Sequence, residues 1–170
     1  MRPLLDGDED PTTVLVAREI EAISVVDIVD WANRHAAAPA YAEDTNYQRL
    51  VRSNPRNVAD INEAESRLKA LITQCFPDFN IKSKDAEERA RTVFLRRIRA
   101  YLDGELQPFQ VCRMLTPIAD AYGFPHWLHD FYEACDWIDE RTTREHASHL
   151  RDGIEQILVE NGVSHTQESE

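Results

Sequence analysis

The sequence is poor in glycine. It has five in 170 residues and no Gly/Ser-rich stretch, which excludes a flexible linker. No Asn-Gly or Asp-Gly pair lies between two alternating strand-like runs, so no β-hairpin is signalled. No apolar run approaches about 20 residues, and no membrane span is expected. The opening segment MRPLLDGDED lacks the apolar centre of a secretory leader, so a cytoplasmic protein is expected. Cysteine is scarce. Cys75, Cys112 and Cys135 are odd in number, widely spaced and without a CxxC, and are expected to be reduced, mostly buried thiols. Basic residues are in deficit, with 19 Lys and Arg against 31 Asp and Glu and a net charge of −12. A general nucleic-acid binder needs a basic face to displace counterions from phosphate, so that class is excluded. The same surplus favours solubility and steers a basic protein toward the surface. A P-loop, a GxSxG elbow and a dinucleotide fingerprint are all missing.

What is present is helical periodicity in almost every segment. The expected fold is all-α, a single-domain bundle of six or seven helices with short loops over residues 11–160, flanked by a mobile tail (1–10) and a disordered one (161–170). A chain of this length buries roughly 70 % of its unfolded surface, so neither a metal nor a disulfide is needed for folding, and no cofactor is expected. Asp10-Pro11 reads as a cap followed by a first-turn proline. Residues 12–35 read as one long helix or as two broken at Ser24, whose pairing with Asp27 resembles a capping box; a short strand over 14–17 is the alternative. Ala36 to Pro39 ends that region, and Tyr41 to Val51 is a short helix or a loop. Asn54-Pro55 is expected to open a helix through Gln74, with Val58, Ile61, Leu68, Leu71, Ile72 and Cys75 on its apolar stripe. Ser83 or Asp85 opens the next, closed by Gly104; Pro108 starts another, Pro117 kinks it or begins a new turn, and Gly123 ends it. Pro125 then begins a helix to Glu140, and Thr142 with Glu145 caps a last helix running to about Glu160.

The most unusual stretch is Ala121 to Ile138. It carries Trp127 and Trp137, His126 and His129, and Cys135. From Thr116 to Glu140 the only charged side chains besides histidine are Asp120, Asp130, Glu133, Asp136, Asp139 and Glu140, and no Lys or Arg occurs until Arg141. On a continuous helix at about 100° per residue, Trp127, Leu128, Phe131, Tyr132, Cys135 and Ile138 form one core-facing arc. Trp137 falls on the opposite, acidic face. Either a second element covers it, or it is exposed and anchors a partner, since Trp is enriched at binding hot spots. This reading makes Asp130, Glu133, Asp136, Trp137 and Glu140 a surface for a basic protein partner, with no nucleic acid and no membrane involved. A homodimer seam around Trp137 is the other use of the same residue.

A metal site is the competing chemistry. His126 and His129 are three apart, His146 and His149 repeat the spacing, and with Glu133 or Asp130 they could hold a transition metal in a hydrolase if the bundle brought the two pairs together. His129-Asp130 lacks the upstream His of a helical phosphohydrolase, and Glu133-x-x-Asp136 lacks a partner ExxE helix. The helix after Asp85 carries Arg89, Arg91, Arg96, Arg97 and Arg99; in so acidic a chain these are expected to pair with neighbouring carboxylates.

Residues 100–120, AYLDGELQPFQVCRMLTPIAD, place a helix, a Tyr-Leu-x-Gly-Glu-Leu turn and a second helix in succession. Together with the rest of Arg91 to Asp136, this pattern resembles that of small acidic helical immunity proteins of bacterial toxin systems. The resemblance implies a non-enzymatic inhibitor that binds a toxin domain stoichiometrically through an acidic surface.

Overall fold

The computed structural model describes residues 4–5, 9–35 and 40–163. The segment Ala36 to Pro39 and most of both terminal tails therefore lie outside the described residues. The fold is all-α, as the periodicity predicts, and no strand occurs among the described residues. Among these residues no helix is long and apolar enough to cross a membrane. The chain divides into two compact units, residues 2–90 and 91–170, and the division falls within one helix.

The first unit holds α1 (Pro11–Glu19), α2 (Val25–Arg34), α3 (Thr45–Val51), α4 (Val58–Cys75) and the start of α5 (Lys84–Leu102). Helix α4 packs against α1, α2 and α3, burying Ala64, Leu68 and Leu71 completely. Residues 14–17 are helical, and the chain breaks at Ser24. The Ser24 hydroxyl accepts from Asp27 N, and the Asp27 carboxylate accepts from Ser24 N at 2.6 Å, closing the box. Asn54 does not open α4. Its side chain caps a local turn by accepting from Arg56 N, while Asn57 accepts from Ala59 N and Asp60 N and starts the helix three residues later. Val58 therefore stands in the first exposed turn, 69 % accessible, and not on the apolar stripe. His35 sits between two tyrosines. Tyr47 Oη donates to the His35 carbonyl and lies 3.3 Å from Nδ1, while Tyr41 Oη lies 3.2 Å from Nε2. Cys75 is a thiol, half-buried, with its Sγ 3.8 Å from Asp44 Oδ2. Burial pushes its pKa up, and the Asp44 charge adds to this.

Asp10 caps α1 by accepting from Thr12 N (2.8 Å) and Thr13 N (3.1 Å), and it also pairs with Arg89 Nη1 at 2.6 Å. Burial alone would raise its pKa. The hydrogen bonds from the Thr12 hydroxyl, Arg89 and Thr13 N, with the Arg89 charge, outweigh that and hold it below the ordinary 3.8. A depressed carboxyl contributes stability above its unfolded pKa and loses it as pH falls through the folded one. Asp10→Ala is expected to cost about 1 kcal/mol near neutrality. In urea unfolding, the gap to the wild type should narrow as the pH drops below 3.8; a gap constant with pH would show that the carboxylate charge contributes nothing.

The second unit holds the rest of α5, then α6 (Pro108–Cys112), α7 (Leu115–Tyr122), a 3-10 turn (His126–Leu128), α8 (His129–Ala134), a second 3-10 turn (Arg144–His146) and α9 (Ser148–Glu160). Its core is aromatic at the centre: Phe94 meets Phe131 edge-on at 4.8 Å and Trp127 at 5.4 Å. Helices α8 and α9 pack together, and Leu150, Ile154 and Ile157 are buried. Arg144 closes the other end. Its guanidinium lies 4.2 Å from the Tyr101 ring and donates to the carbonyls of Leu106 and Tyr101, both at 2.6 Å. The predicted Thr142 box does not form, because the Thr142 hydroxyl is taken by Asp139 and α9 starts only at Ser148.

Candidate docking face around Trp137

The approach to this face begins with a chain reversal. Gly123 adopts a left-handed φ of 67°, which only glycine reaches without cost, and its N–H closes onto Ala119 O. Phe124 comes next with φ 59° and is 37 % exposed. Its ring lies 5.1 Å from His129 and 5.4 Å from Tyr132, edge-on to the latter; the His126 and His129 rings lie 5.2 Å apart, tilted by 53°. These four rings mark the outer side of the 3-10 turn and α8.

The uniform helix expected from Pro125 to Glu140 does not form. A 3-10 turn advances about 120° per residue, against 100° in an α-helix, so residues 126–128 are out of phase with α8. Helix α8 itself has six residues and ends at Ala134. The core arc shrinks accordingly. Leu128 and Phe131 are buried, Trp127, Cys135 and Ile138 are half-buried, and Tyr132 is 51 % exposed.

Cys135 is not a reduced thiol. It forms a disulfide with Cys112 at the end of α6, across a Cα–Cα distance of 5.8 Å that lies within the range a disulfide spans. The return of the chain through α7 brings together two cysteines 23 residues apart, a closure that spacing alone does not reveal. The expectation of three reduced thiols therefore fails for Cys112 and Cys135, and only Cys75 is a free thiol.

Beyond Cys135 the backbone is pinned at several points. The Asp136 carbonyl accepts from His149 Nε2 at 2.9 Å, which fixes that nitrogen as protonated. Ile138 N donates to Cys135 O at 3.2 Å. Asp139 accepts from Arg141 N (2.8 Å) and from the Thr142 hydroxyl (3.2 Å). The Arg141 N–H bond, together with that from Thr142, holds its carboxyl below the usual range. Between these pins Trp137 takes a left-handed φ of 65° and is 93 % exposed. No other element among the described residues covers it. Asp130, Glu133, Asp136 and Glu140 are exposed too, and no ion pair among the described residues engages them.

The four histidines of the alternative site do not assemble. His126 and His129 are adjacent, but His146 Nδ1 faces the Thr143 hydroxyl at 2.8 Å and His149 faces Asp136 O. No group of three or more His, Cys, Asp or Glu side chains converges among the described residues. On α5, Arg89 pairs with Asp10 and Asp85, as so acidic a chain predicts, and Arg91 donates to the Asn161 side chain. No protein-family model, no curated protein and no solved structure matches the chain.

Proposed function

We propose that this is a non-enzymatic binding protein that docks a basic protein partner on the face built from Asp130, Glu133, Asp136, Trp137 and Glu140. One observation carries the reading: Trp137 is 93 % exposed on a left-handed backbone. Both features are unfavourable in isolation. A large apolar side chain in water forgoes its burial energy, and a non-glycine residue at positive φ is strained. Such a combination is retained where a partner uses it. The carboxylates around it steer and pair with cationic residues, while the indole supplies the apolar anchor. The resemblance of residues 91–136 to toxin-immunity proteins would make the partner a toxin domain, bound stoichiometrically without catalysis.

The test is a quantitative pull-down from the native host with wild type, Trp137→Ala and Glu133→Lys as baits. A basic protein retained by the wild type should fall by at least about tenfold with each variant, the scale of a hot-spot loss. Equal recovery on all three baits would place the docking surface elsewhere. A homodimer seam is the second use of an exposed Trp137, yet two copies of one acidic face repel each other. Light scattering is therefore expected to give 19.6 kDa at all concentrations; twice that mass, abolished by Trp137→Asp, would assign the indole to self-association.

A further inference from the structure

We propose that the Cys112–Cys135 disulfide is the clamp that presents Trp137, so that reduction releases the end of α8 and weakens docking. The inference rests on the docking reading above and adds its regulation. Helix α8 has six residues, far below the length at which a helix is stable alone. Its inner side is held by Phe131 and by Ala134 against Gly153 of α9. Its C-terminal end is held by the disulfide on Cys135, and the next two residues are Asp136 and Trp137. The indole itself is almost wholly in solvent, so the backbone alone sets its position. A left-handed tryptophan persists only where the surroundings enforce it. The enforcing contacts are the disulfide and the Ile138 bond to Cys135 O, both through Cys135, the His149 bond to Asp136 O, and the Arg141 and Thr142 bonds to Asp139; the disulfide is the covalent one among them. Cutting the disulfide leaves the core contacts of α8 intact and removes the covalent hold on the segment beyond Ala134, leaving only hydrogen bonds to keep it in place.

The chemistry is thiol–disulfide exchange. One thiolate of a dithiol attacks a cystine sulfur, forming a mixed disulfide and releasing the other cysteine as a thiolate; its second thiolate then displaces the protein. Cys112 and Cys135 together gain two electrons and two protons, and the dithiol becomes its disulfide. Both cysteines are half-buried, neither sealed in the core nor fully exposed.

The test uses the full chain and a fluorescein-labelled peptide rich in Arg and Lys. Peptide mapping of protein purified without reductant should show Cys112 joined to Cys135 and only Cys75 alkylated; alkylation of all three would overturn the proposal. Reduction with dithiothreitol, and separately Cys112→Ser, should speed amide exchange in residues 135–140 by about tenfold while α9 stays protected. Peptide affinity should fall roughly fivefold or more, the low end of coupling between sites. If exchange and affinity are unchanged on reduction while Trp137→Ala still weakens binding, the clamp is wrong and the docking face stands. If the peptide binds every form equally, Trp137→Ala included, the docking reading fails and the gating with it. Loss of α9 protection on reduction would make the disulfide a general staple of the unit and overturn the switch.

Discussion

Replacing Phe131 by alanine is expected to destabilise the 91–170 unit by about 3–5 kcal/mol. Phe131 is fully buried, and its ring meets Phe94 edge-on at 4.8 Å. Truncation removes the ring from the centre of an aromatic cluster and leaves a cavity that Phe94 and the half-buried Trp127 would have to fill. Helix α8 has six residues and little intrinsic stability, so this burial is one of the few contacts that hold it. Urea unfolding monitored by Trp127 fluorescence, with Trp31 and Trp137 replaced by Phe, isolates the local signal. Phe131→Leu keeps most of the volume and should cost less than half as much. A loss below about 1.5 kcal/mol for the alanine variant would mean that the cluster collapses easily or that Phe131 is not its centre.

Gly153→Val is the second large effect, with a loss of about 3 kcal/mol, the upper end for overpacking. Gly153 lies inside α9, where glycine is a poor helix former and alanine would gain about 1 kcal/mol. Packing overrules that gain. A Cβ at this position would stand 2.6 Å from Ala134 Cβ, nearer than two carbons approach, and Ala134 has no flexible end to move away. Gly153→Ala should therefore also destabilise, though less, because propensity offsets part of the overlap. Ala134→Gly restores the space. The double variant Ala134→Gly with Gly153→Ala is expected to be more stable than the sum of the single changes by roughly 1 kcal/mol, well outside the about 0.5 kcal/mol scatter of independent sites. Additivity would show that α8 and α9 do not touch at this point.

Much of the local structure can be read directly from neighbouring residues. Asp10-Pro11 starts α1, Ser24 with Asp27 starts α2, Pro108 starts α6, and Gly123 ends α7 at a left-handed turn. Each is a contact over three or four residues, so the amino-acid order contains both partners. The one-signed charge of 116–140 is equally legible, because it is composition. Where two local signals compete, the order of residues is ambiguous. Asn54 and Asn57 are both competent caps, and Asn54 instead closes a turn whose backbone N–H bonds to Asp60.

The candidate site was legible only in its chemistry. Asp130, Glu133, Asp136, Trp137 and Glu140 stand out by residue type, and all five are exposed. Their geometry depends on tertiary contacts. A periodicity argument assumes one uniform helix, and three facts of the folded chain break that assumption at 126–140. The 3-10 turn shifts the phase, the close approach of Gly153 to Ala134 sets which side of α8 is covered, and the left-handed backbone at Trp137 breaks the helical path. Tyr132, placed in the core by a uniform wheel, thereby becomes part of an exposed aromatic group with Phe124 and His129. The amino-acid order alone thus determined an all-helical chain with most of its caps and one acidic, aromatic stretch, because those depend on neighbours in sequence. Only the tertiary structure decided that Cys112 meets Cys135 and that Trp137 stands in solvent, because each depends on segments that approach one another only when the chain is folded.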